Sequence, residues 1–225
     1  PILLVLYKDI PPVALTTLSL AMICGNSVSG SIAYARMKRI NYRAGLLFAL
    51  TAVPGSIIGV VILDYIPKQK FYAFFGIILF LVSLYLIALP GKLKESHEGS
   101  EHKFDLRFGI ISSFFVGVLS SLLGIGGGII HVPVMIYLLG FPVHIATATS
   151  HFVLAIMTFS ATIFHIASGD FTGKYLMALG LIIGVIPGAQ IGAWASNKIG
   201  GKVIVRGLAV ALLIAAIRIL WMTFK

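Results

Sequence analysis

Residues 124–133 read GIGGGIIHVP. Four glycines crowd into five positions of an apolar run that extends over residues 108–139. Glycine costs roughly 1 kcal/mol relative to alanine at each helix-interior position, so an unbroken helix through the cluster would forfeit several such penalties. The run is therefore expected to break, with Gly126, Gly127 and Gly128 non-helical at mid-membrane.

The medium around that break follows from composition. The 225 residues are 59% apolar and 11% charged, with a mean hydropathy of +1.04, against about 25% charged residues in an ordinary soluble domain. Apolar runs of bilayer-spanning length recur at 14–34, 46–65, 71–89, 108–139, 145–168, 175–196 and 204–224. The expected fold class is an all-α integral membrane protein. A formal charge of +10 does not point to nucleic acid, because the cations are scattered through short loops. Instead Arg36, Lys38, Arg39 and Arg43 mark a cytoplasmic loop by the positive-inside rule, followed by the 92–107 connection. The single cysteine, Cys24, excludes an internal disulfide and reads as a small core residue. His97 and His102 lie in a polar segment without a ligand framework, and no metal or cofactor is expected.

That polar segment divides the chain. Residues 1–90 form a first transmembrane repeat, 91–107 a linker, and 108–225 a second repeat. The halves correspond: PPVALTTLS at 11–19 aligns with PVHIATATS at 142–150, and VPGSIIG at 53–59 with IPGAQIG at 186–192. With a one-residue shift this register sets Pro1 against Pro133, so the first repeat is read as N-terminally incomplete, lacking its own glycine cluster. Two repeats of about four apolar segments, with glycine-broken helices, are expected. Four full crossings per repeat would make them parallel. A re-entrant hairpin at the glycines would invert the second, which the charge asymmetry between the 36–43 and 167–174 loops favours.

Duplicated halves with broken helices suit a secondary transporter, where the breaks meet to form the substrate site. Exposed N–H groups of Gly126, Gly127 and Gly128 would favour an anion. Asp64, Asp105 and Asp170 sit at span ends, which disfavours cation transport and leaves no buried carboxylate to relay protons. Neutral donors are available instead. Thr149, Ser150 and His151 follow the break, Ser19 and Asn26 lie in the first repeat, and Gln190 sits in the Pro-Gly helix. Thr147 and His131 complete the donor set, while His144 and His165, nearer span ends, read as satisfied structural histidines. The bland alternatives are hydroxyls bonded one turn back, a helix-to-helix glutamine and a packed histidine. No HExxH, Walker or paired-carboxylate motif supports an enzyme.

GIGGGIIHVP, then GFPVHIATATSHF, the loop GDFTGKY and the helix IPGAQIGAWAS together resemble the TauE/SafE sulfite exporter family of membrane permeases. The first repeat departs from the pattern, with Leu18 where the second has Thr149. The resemblance implies a multi-pass protein of the bacterial cytoplasmic membrane that carries a small sulfur-containing anion such as sulfite or a sulfonate. An anion channel, or a carrier of another small organic anion, is the alternative. The implied partners are the anion and the lipid bilayer, with homo-oligomerisation left open.

Overall fold

The computed structural model describes residues 12–63, 65–88, 105–124 and 126–224. The opening residues 1–11, Asp64, and most of the 91–107 linker with His97 and His102 lie outside them. Every regular element among the described residues is helical. Six helices hold spans long and apolar enough to cross a bilayer: α1 (Pro12–Arg36), α2 (Tyr42–Leu63), α3 (Lys68–Ala88), α6 (Val143–Ala167), α7 (Tyr175–Lys198) and α8 (Gly201–Phe224). Between α3 and α6 come two shorter pieces, α4 (Leu106–Leu123) and α5 (Gly128–Pro133), the second prolonged by a π-helical turn at Val134–Leu138.

The 108–139 run is thus not a seventh crossing. Asp105 caps α4, its carboxylate accepting from the N–H groups of Arg107 and Phe108. Gly124 closes the helix in the left-handed region at φ 62°, and Gly126 and Gly127 follow at φ 71° and 65°. Consecutive left-handed residues of this kind are open to glycine at little cost and to other residues only with strain. The chain then returns along α4. Gly127 lies against Ser120 and Val116, His131 Nε2 is 3.1 Å from Ser113 Oγ, and Gly109 lies against Leu139. Contacts that step backward along α4 as the chain advances define a re-entrant hairpin. Gly126 and Gly127 are non-helical and buried as expected, but Gly128 is not non-helical: it opens α5, because the carbonyl of the preceding Gly127 already accepts the first helical bonds, from the N–H groups of Ile130 and His131.

The remaining contacts set the direction of every span. Thr17 meets His165, Ser27 meets Thr158 and Gly30 meets His151, so α1 and α6 are antiparallel. Gly25 lies on Ile182 and Tyr34 bonds to Ser196, so α7 runs parallel to α1. In the same way α2 runs parallel to α4, with Gly55 on Phe114 and Gly59 on Val118, while α3 and α8 pair antiparallel through Gly76 on Leu220 and Ser83 on the Ala209 carbonyl. Helices α1 and α6, which carry the aligned motifs, therefore cross in opposite senses. The α2–α4 contact is close enough that a Cβ at Gly55 or Gly59 would collide with backbone carbonyls of α4, the way small residues let membrane helices approach.

Outward-facing side chains fit a lipid solvent: Leu176 is 85% exposed, Leu50 73% and Trp221 70%. The core between the helices is built on Phe48, Phe71, Phe75, Met135 and Phe141. A hydrogen bond from Arg39 to Asn197 joins the α1–α2 loop to the end of α7, which puts Arg36, Lys38, Arg39, Arg43, Lys198 and Lys202 on one face. The opposite face holds the 168–174 connection, with Asp170 and Lys174. The positive-inside rule assigns the first face to the cytoplasm. In a Cys24→Ser background, a cysteine at Lys38 should resist an impermeant maleimide added to intact cells, while one at Thr172 reacts; the reverse pattern would invert the topology.

Candidate functional site

The glycine turn is wedged between the two antiparallel central helices. Gly124 lies against Thr16 and Gly126 against Ile23, both on α1, while Gly128 faces Leu154 on α6. Polar side chains gather around it without partners. Ser120, which adjoins Gly127, and its neighbour Ser121 are fully buried, and neither Oγ has a hydrogen-bond partner. Ser150, one helical turn from Leu154 on the same face of α6, is also fully buried with an orphaned Oγ. His131 spends Nε2 on Ser113 but leaves Nδ1 unpaired.

Each orphaned buried group costs about 1–3 kcal/mol, and folded proteins leave few of them. Their grouping beside a left-handed backbone turn is what a polar ligand's seat would require. The chemistry on offer is neutral donation from hydroxyl, imidazole and backbone N–H groups, suited to an anion that keeps its charge.

The residues singled out in the sequence fall into different places. Gly126, Gly127 and Gly128 form the turn, and Ser150 lies one helical turn along α6 from Leu154, which meets Gly128. Thr149, next to Ser150, points elsewhere: its Oγ1 accepts the Asn41 N–H at 3.0 Å and so ties α6 to the α1–α2 loop. Thr147 bonds one turn back to the Val143 carbonyl. His151 shares Nδ1 with the Thr147 carbonyl, packs its ring edge-on to Tyr34 and covers Gly30. Gln190 donates at 2.8 Å to both the carbonyl and the hydroxyl of Ser29, holding α7 to α1. Ser19 and Asn26 are half-buried on α1, and their side chains make no hydrogen bond among the described residues. Two clefts of about 300 Å³ lie away from the turn, one between α3 and the returning arm at Ile130 and Pro133, the other between α3 and α8 at Lys202 and Arg206.

Sequence reasoning passed over Ser113, Ser120 and Ser121. Their spacing carried a signal, since residues seven apart share a helix face, and Ser113 and Ser120 stand on the face that meets the returning arm. It also dismissed Asp170, whose carboxylate lies 2.7 Å from the buried imidazole of His165.

Six crossing helices enclosing a re-entrant hairpin, with unpaired polar groups at its tip, define a multi-pass membrane transport protein. The chain belongs to the sulfite exporter TauE/SafE family, whose model matches residues 1–219. It is 30% identical over 230 residues to the probable membrane transporter protein YunE of Bacillus subtilis, covering 96% of this chain and 84% of that protein. A probable membrane transporter protein of Xylella fastidiosa is 27% identical over 94% of this chain and 80% of its own length. One from Haemophilus influenzae is 25% identical, over 91% and 78%. No solved structure matches.

The two neighbouring hydroxyls of α6 should respond oppositely to deletion. Thr149→Val strands the Asn41 N–H and should lower thermal stability in detergent by about 1–3 kcal/mol. Ser150→Ala removes an unpaired buried hydroxyl and should leave stability unchanged or raise it. Equal destabilisation by both would show that Ser150 has a protein partner.

Proposed function

We propose that the protein is a secondary carrier for a small sulfur-containing oxyanion, sulfite or a simple sulfonate, bound at the tip of the α4–α5 hairpin. The observation that carries this reading is the set of buried, unpartnered hydroxyls of Ser120 and Ser121, just before the left-handed Gly126–Gly127 turn, and of Ser150, one helical turn from the Leu154 that meets Gly128. An anion leaving water must recover its hydration from fixed donors, and neutral donors provide this without a permanently buried cation. The family's description supplies the sulfur chemistry. The opposed directions of α1 and α6 support an inverted repeat, in which two related halves rock around a shared central site. On this reading Thr149, His151 and Gln190 hold the helices that move, whereas Ser150 and the glycine turn meet the anion.

Purified protein tested against sulfite, thiosulfate, methanesulfonate and acetate should be thermally stabilised by the sulfur oxyanions and not by acetate. At a concentration of one hundred times Kd the stabilisation is about 2.7 kcal/mol. Ser150→Ala should weaken binding by about 1–3 kcal/mol if a charged ligand loses that bond. In proteoliposomes the bound anion should show counterflow, which separates a carrier from a channel. If none of the sulfur oxyanions stabilises or crosses, the substrate class is wrong; if Ser150→Ala binds like the parent, the site lies elsewhere.

A further inference from the structure

One buried titratable group takes no part in the anion seat. His165, at the end of α6, is fully buried. Its Nδ1 lies 2.7 Å from Asp170 Oδ2 and 3.1 Å from Thr17 Oγ1 on α1. The Thr17 hydroxyl already donates to the Val13 carbonyl at 2.7 Å, so Thr17 and the carboxylate both present lone pairs to Nδ1. In the neutral ring these partners place the proton on Nδ1, which leaves a bare lone pair on Nε2. That Nε2 is buried and has no hydrogen-bond partner.

A base held dry, with a carboxylate fixed on its far nitrogen, is arranged to accept a proton. The carboxylate orients the ring and compensates the imidazolium that forms, as in other Asp–His pairs. Asp170 is the only carboxylate among the described residues besides Asp105, which is occupied in capping α4. Its side chain is 28% exposed, which places the Nδ1 side of the pair near the face opposite the cationic loops, whereas Nε2 is buried.

No other charged side chain crowds the pair among the described residues. Lys174 turns its ammonium to the Asp170 carbonyl at 2.9 Å. Helix α1 contributes only neutral Thr17, and α7 packs here through Met177, Ala178 and Ile182.

We propose that His165, held by Asp170, is the proton-binding site of the carrier, and that the proton taken up at Nε2 travels in step with the anion. Protonation turns a neutral imidazole beside a carboxylate into a neutral ion pair: the bond formed is Nε2–H, and the bond broken is an O–H of the hydronium ion that supplies the proton and is left as water. Because the pair and Thr17 bridge α1 to α6, the two helices whose relative motion would expose the anion seat, the proton acts at a joint that transport must work. The proposal rests on the carrier reading given above.

Asn is the informative replacement, since the side-chain amide of His165→Asn keeps a donor in the place of Nδ1 but has no base in the place of Nε2. Methanesulfonate is the probe, as the anion of a strong acid that brings no proton of its own. In proteoliposomes with a pH gradient of about one unit, one proton per anion allows about tenfold accumulation. The parent should approach this and lose it with a protonophore. His165→Asn should lose the accumulation yet retain methanesulfonate counterflow at equal pH, a retention that a merely unfolded variant would not show. Asp170→Asn should behave similarly.

Accumulation by His165→Asn equal to the parent's would overturn the proposal. A second readout does not depend on transport: in 15N-histidine spectra, the resonance missing from His165→Asn should pass from the Nδ1–H tautomer to imidazolium as pH falls. If it stays neutral through roughly pH 4–8, spanning the ordinary histidine range, the proposal falls even when anions are carried. A parent that carries no sulfur oxyanion sinks the carrier reading, and the spectra then decide the proton site alone.

Discussion

Backbone N–H and C=O groups cannot be left bare in hydrocarbon, and the structure depends on how this constraint is met at one turn. A chain reversing direction inside the membrane must leave some of these groups outside a helical ladder. That is tolerable only where protein covers them or a cavity is lined by them. Gly124 pairs its N–H with carbonyls at the end of α4, and Gly128 pairs back to Gly126. The covering is supplied by α1 at Thr16 and Ile23 and by α6 at Leu154. The antiparallel crossing of α1 and α6 and the close seating of α4 on α2 are thus what permit a re-entrant segment. The same covering leaves a small set of polar groups desolvated beside the turn, and this is where a ligand can gain most from them.

The class of the fold was legible because it is set by composition and length, which need no knowledge of neighbours. The glycine break was legible for a related reason: left-handed backbone at Gly126 and Gly127 is a local demand, readable from residue type. Whether the chain after the break would continue outward or turn back was not readable locally. It is decided by contacts between residues far from the break, such as Ser113 with His131 and Gly109 with Leu139. Span length alone could not see that residues 108–139 supply two arms of a hairpin.

Like motifs also found unlike uses. VPGSIIG and IPGAQIG match in sequence, yet Gly55 and Gly59 press on the backbone of α4 while Gly188 and Gly192 on α7 have nothing within 4 Å. Thr149 and Ser150 stand side by side, but successive helix positions point about 100° apart. One therefore reaches the Asn41 amide and the other is buried without a hydrogen-bond partner. Asp170 looked like a solvated span-end carboxylate because its partner is buried five residues earlier in a helix, and only the fold of the 168–174 connection brings them to 2.7 Å.

The central claim, that residues 108–139 form a re-entrant hairpin, is tested most directly by finding the sides of the membrane on which its ends emerge. Single cysteines at Arg107, in the first turn of the outgoing arm, and at His144, just after the returning one, can be placed in a Cys24→Ser background. Both can then be probed with an impermeant maleimide in intact cells and in inverted vesicles. The hairpin requires both to react from the same, cytoplasmic side. Reaction of the two from opposite sides would mean that the segment crosses the membrane, and would contradict the account.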